Sequence, residues 1–184
     1  SRPRGRDGAV VRVDDAGVTV PSAAVDMITV EIRDSAADAR ATVRRLAPAW
    51  LLSDGTIRDF SDTTRNLLDF DVPQGSYYIV VGHRNHLRIM SAMAQNTTVA
   101  SQSIEYDFTG EQSAAYGSNA MEIVGTHYAM RAGDADRSGI IDVADRVATW
   151  NSRNQTGYVN EDCDLSGVVD VADRVITWNN RNFF

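Results

Sequence analysis

The chain has 184 residues, of which 43% are hydrophobic and 23% charged, which is ordinary for a globular protein and enough for a medium domain plus a small one. Its formal net charge of −7 argues against a nucleic-acid partner, because phosphate binding needs clustered Lys and Arg. No apolar run approaches the roughly 18 residues of a membrane-spanning helix.

The opening SRPRGRD has no initiator methionine and no apolar signal core, so it reads as a processed form or a piece of a longer chain. Residues 1–8 are basic and are expected to form a flexible tail. Ala9–Val13 and Gly17–Val20 are short, valine-rich strand candidates. Val25–Arg33 sets Met27, Thr29, Glu31 and Arg33 against Ile28, Val30 and Ile32, which predicts a strand with one buried face. SAADA at 35–39 reads as a loop, and the wider alanine-rich stretch at 35–45 is the main helical candidate of this half. Leu46–Leu52 reads as a buried strand, and SDGT at 53–56 as a hairpin turn. Pro73 and Gly75 mark a turn before a strong strand at Ser76–Gly82. Thr97–Phe108 and Met121–Met130 read as the last two strands, with a short helical turn near 111–116 between them.

This spacing predicts an antiparallel β-sandwich over residues 9–130. Residues 9–21 have two readings within it. They are the sandwich's first strand, or a donor arm that adds to the open edge of a neighbouring copy and builds a head-to-tail homopolymer. The phrase VPQGSYYIVV resembles the strand start of prealbumin-like or collagen-adhesin B-type sandwiches. That resemblance implies a non-catalytic spacer or stalk.

The strongest signal is an internal repeat. DADRSGIIDVAD at 134–145 returns 28 residues later as DCDLSGVVDVAD at 162–173, and the match runs on through RVATWNSRN and RVITWNNRN. Calcium takes six to eight oxygens, which a 12-residue loop supplies from positions 1, 3, 5, 7, 9 and 12 around a glycine at 6. The first copy offers Asp134, Asp136, Ser138, the Ile140 carbonyl, Asp142 and Asp145, with Gly139 at the turn. The second offers Asp162, Asp164, Ser166, the Val168 carbonyl, Asp170 and Asp173, with Gly167. Two calcium ions are therefore expected. Position 9 often ligates through water, so Asp142 and Asp170 are the weaker ligands, and magnesium would fit less well.

Each loop leads into a helix. Asp142 and Asp170 are placed to cap it, and the acids at its start favour the positive end of its dipole. Val143, Val147 and Trp150 fall on one helical face, matched by Val171, Val175 and Trp178. Ile141 and Val169 are placed to pair the loops back to back. Val143–Ala144 and Val171–Ala172, identical in both copies, have two readings, a symmetric recognition face or packing on the protein's own sandwich, and the second is favoured because small apolar pairs are ordinary core residues. Without metal the acids would repel, so metal binding and folding are expected to be coupled.

The position-12 aspartate with a single following helix resembles dockerin repeats. The resemblance covers about 132–182, within a small all-α two-calcium module at 131–184. It implies calcium-dependent folding, a secreted or cell-surface location and a cohesin-type partner.

Other candidates are weaker. His83 and His86 would point to opposite faces of a continued strand, His127 is distant in sequence, and no H-E-x-x-H, G-x-S-x-G or phosphate-loop pattern occurs. Asn96 and Asn154 sit in N-glycosylation triplets. The single cysteine, Cys163, permits no internal disulfide, and its loop position is expected to point outward. Together these readings describe a non-enzymatic, calcium-stabilised, secreted structural or surface-assembly protein. The alternative is a docking appendage of a larger carbohydrate-active enzyme.

Overall fold

The computed structural model describes residues 20–37, 43–99 and 102–184. The tail at 1–8 and all of the 9–21 arm except Val20 and Pro21 lie outside them.

The chain is mainly β and antiparallel. Its strands among the described residues are β1 (Ala24–Arg33), β2 (Val43–Leu52), β3 (Ile57–Asp59), β4 (Gly75–Gly82), β5 (Ile89–Met90), β6 (Gln95–Thr97), β7 (Met121–Val124) and β8 (His127–Met130), and the helical turn expected near 111–116 is a 3-10 helix at Gln112–Ala114, between β6 and β7. The main sheet runs β3-β2-β1-β4-β5, with β6 pairing the start of β4. Ile28 lies opposite Ala49 across β1 and β2, and Val30 opposite Val81 across β1 and β4. Period-2 alternation puts these side chains on one face, where Ile28, Val30 and Ala49 form a buried core under Leu68 and Phe70. The SDGT turn closes β2 onto β3 as expected, with Gly55 at φ +83.

The stretch at 73–77 has a steric logic. The Tyr77 hydroxyl donates to the Pro73 carbonyl at 2.8 Å. The Tyr77 ring then lies over Gly75, where a Cβ would come within 3.1 Å of it.

Several expectations are corrected. Among the described residues the second layer is no full sheet. The core of Ile89, Ala114, Ala115 and Met121 is completed by Tyr106, Phe108 and the β7–β8 hairpin. Thr97–Phe108 does not form one strand. Tyr106 donates its hydroxyl to the Ala114 carbonyl at 2.5 Å, and the Asp107 carboxylate accepts from Thr109, which turns the chain. Met121–Met130 is a hairpin folded at Gly125, where φ is +64. The helical candidate at 35–45 yields bends at 34–37 and then β2, whose residues pair with β1; residues 38–42 lie outside the described set.

The remainder carries two loop-helix copies, α1 (Val143–Asn151) and α2 (Val171–Asn179). Ile141 and Val169 exchange no backbone hydrogen bond with each other. Ile141 bonds to Asn182 and Phe183 after α2, and Val169 to Asn154 and Gln155 after α1. Each copy is thus closed by the other. Asn154 and Asn182 take left-handed φ values of 65° and 71°, a conformation asparagine tolerates, and turn the chain back for this exchange.

Candidate metal centre

Each loop folds around its own acids. Gly139 donates its N–H to Asp134 Oδ2 at 3.1 Å, and Gly167 to Asp162 Oδ2 at 3.0 Å. Both glycines sit near φ +85°, where a side chain would be strained. At position 12, Asp145 accepts from Asp136 and Asp142 N–H groups at 3.1 and 2.8 Å, and Asp173 accepts from Asp164 and Asp170 at the same distances. Asp142 and Asp170 accept from Ala144 and Ala172 at 2.6 Å, completing a capping box at each helix start.

Asp134, Asp136 and Asp145 bring carboxylate oxygens within 4.8 Å of one another, and so do Asp162, Asp164 and Asp173. Ser138 and Ser166 close the loop rim by donating to the carbonyls of Ile140 and Val168 at 3.0 and 3.1 Å. Asp142 and Asp170 stand outside the triads, their side chains spent on capping.

The donor set fits a hard divalent cation, for reasons visible in the geometry. Asp134 is buried, and its Oδ1 has no hydrogen-bond partner. A buried carboxylate oxygen left bare is costly unless a cation takes it. Burial, with the charges of Asp145 and Asp136, pushes the Asp134 carboxyl up to about 6. Burial also raises Asp145 and Asp173.

Sequence reasoning missed how the loops are fixed to the sheet. The segment His83–Asn85 follows β4 and clamps the second copy. Arg84 Nε donates to Asp26 Oδ2 at 2.9 Å, its Nη1 donates to the Val159 carbonyl, and its guanidinium lies over the Tyr158 ring. Tyr158 donates to Asp26 Oδ1 at 2.6 Å, and His83 Nε2 lies 3.0 Å from Asp26 Oδ2. Burial alone would raise the Asp26 carboxyl, but these partners hold it well below the usual carboxylate range. Asn85 is completely buried, and its amide donates to the carbonyls of Asn160 and Asp162 at 2.9 and 2.6 Å. The only sequence hint was the density of polar residues in GHRNH directly after an apolar strand.

The histidines behave otherwise than strand alternation implies. The chain leaves β4 at Gly82, and the His83 and His86 rings meet edge-on with centroids 4.5 Å apart. Among the described residues they join no metal-ligating cluster. Cys163 is buried rather than outward, and burial pushes its thiol up. Ala135 holds the matching place in the first copy and is equally buried, so this position faces the interior. Asn96 lies exposed on β6, where Ser76 donates to its side chain at 2.6 Å, and Asn154 is exposed after α1.

The duplicated valines do not pack on the sheet. Val143 and Val171 are 71% and 63% exposed, and Trp150 and Trp178 are 50% and 46% exposed. Arg153 and Arg174 flank the Trp150 ring, and Arg146 and Arg181 flank that of Trp178. Thr149, Trp150, Arg153, Asp170 and Arg174 help line a cleft of about 180 Å³ between the copies.

No protein-family model and no curated protein matches the sequence. Two solved structures are similar, both interface mutants of a type II cohesin–X-dockerin complex from Acetivibrio cellulolyticus. The C-terminal interface mutant aligns at 20% identity and a TM-score of 0.42, covering 84% of this chain and 80% of that one. The N-terminal interface mutant aligns at 19% identity and a TM-score of 0.39, with the same coverage. At these scores the likeness fixes neither the fold nor the role of this chain.

Proposed function

We propose that residues 132–184 form a two-calcium module whose folding is completed by metal and which docks the chain into an extracellular assembly. The single observation that carries this is the twofold recurrence of one donor arrangement: three converging carboxylates, a glycine turn and a capped exit helix, 28 residues apart. Calcium is favoured over smaller cations because the loops offer acids, serine and backbone carbonyls in a flexible oxygen-only set.

The docking part of the reading is supported by the helix face. Val143, Val147 and Trp150, with Val171, Val175 and Trp178, form an exposed apolar stripe on both helices. Aromatic and arginine side chains in this mixture are typical anchors of protein interfaces. The partner is a cohesin-type domain, as the dockerin resemblance of the loops implies, and the chain itself performs no catalysis. Calorimetric titration of metal-free protein tests the first part, with two calcium ions bound per chain expected. A Val143→Asp, Val171→Asp double variant tests the second. It should retain both ions and lose capture by a cohesin panel.

A further inference from the structure

The two loops match closely in sequence, yet the sheet treats them differently. Asn85 serves both. Its backbone carbonyl accepts from Gly133, immediately before the first loop, and its amide donates to the carbonyl of Asp162, which opens the second. Positioning by Asn85 is therefore shared. Arg84 is not shared. Its Nη2 lies 3.7 Å from Asp162 Oδ2, the oxygen that also accepts from Gly167. The matching Asp134 has no such ion pair among the described residues, and its Oδ1 is bare, whereas Asp162 Oδ1 accepts from Ser166 at 3.0 Å.

We infer that the loops are unequal calcium sites, with Arg84 acting as a built-in counter-charge that weakens the second, so that the loop at 134–145 fills at lower calcium. The inference rests on the calcium reading above. Its physics is elementary. Arg84 is only 8% exposed, so water screens its charge poorly, and it draws electron density from a ligand carboxylate while repelling an incoming cation. Three charges act in the opposite sense: Asp26, which pairs with Arg84 Nε at 2.9 Å and offsets part of its charge, Arg137 within the first loop and Glu161 just before the second. Asp26 bonds the Nε side of the guanidinium, whereas Nη2 faces Asp162 Oδ2. Arg137 is exposed and Glu161 half-buried, so solvent screens both more than it screens Arg84.

Single-loop variants test this without touching Arg84. Asp164→Ala leaves only the first loop competent, and Asp136→Ala only the second. Calorimetric titration with calcium chloride should show the first loop binding tighter by about tenfold, as expected for a buried like charge a few ångströms away that Asp26 offsets in part. Adding Arg84→Gln together with Asp26→Asn, which avoids stranding a buried carboxylate, should narrow the gap to under about threefold. Equal affinities in the two single-loop variants, or a tighter second loop, would overturn the inference while leaving the calcium reading intact. Absence of calcium binding in the unaltered chain would overturn that reading itself.

Discussion

The sheet and the repeat module solve the same problem with different materials. The sheet buries Ile28, Val30, Ala49, Trp50 and Val80, so its stability comes from apolar area removed from water. Much of the module's buried volume is polar: Asp134, Asp145, Thr149, Asp162, Asp173 and Thr177, beside little more than Ile141, Val169, Ala135 and Cys163. The valines and tryptophans of its two helices point outward. A fold with carboxylates in its core is self-repelling until a cation arrives, whereas a fold with isoleucines there is not. Under the calcium reading proposed above, the difference teaches where metal dependence resides.

The largest expected effect comes from removing the cation's ligands. Asp134→Ala with Asp162→Ala should abolish measurable calcium uptake and leave the module unfolded. The sheet should keep its Trp50–Phe60 stack, whose near-ultraviolet dichroism reports on it. Ile28→Ala should do the reverse, lowering sheet stability by about 2–5 kcal/mol in denaturant unfolding while two calcium ions still bind.

pH should separate the regions by sign. The Asp134 carboxyl is pushed up to about 6 from 3.8, so its contribution to the metal-free fold is full below about 4 and lost as pH rises through 6. Chelated protein should therefore regain up to about 3 kcal/mol of module stability on acidification from pH 7 to 4. His86 acts oppositely. Burial, then the charges of His83 and Arg84, push its ring down to about 3 from 6.5, so its support is full above 6.5 and lost as pH falls towards 3. Thermal melts across this range should show the two regions moving in opposite directions.

Asn85→Ala leaves the Asp162 and Asn160 carbonyls without their buried donor and should cost about 1–3 kcal/mol. It should also split one melting transition into two, because Asn85 ties the sheet to both loops. Tyr77→Phe, which removes only the donor to Pro73, should cost about 1 kcal/mol and leave calcium binding unchanged.

What could be read from the sequence follows from how local each determinant is. The loops are local: glycine, acids and helix cap lie within 12 residues, so a one-dimensional pattern carries their three-dimensional placement. The Val25–Arg33 alternation was legible for the same reason. The clamp was not, because Arg84 meets Asp26, Tyr158 and Asp162 across separations that no periodicity encodes. The outward valines were misread because an amphipathic stripe says only that one helix face is apolar, not whether the chain supplies its cover. Thr97–Phe108 was misread because a run of strand-prone residues gives no sign of whether a neighbouring edge is free to pair with it.

The central claim is that metal completes the fold of residues 132–184 and leaves the sheet largely indifferent. Hydrogen–deuterium exchange, resolved along the chain with and without a calcium chelator, measures this most directly. Amides of both loops, α1 and α2 should lose protection on chelation, while those of β1, β2 and β4 keep theirs. Protection of the loops and helices that does not change with calcium would contradict the account.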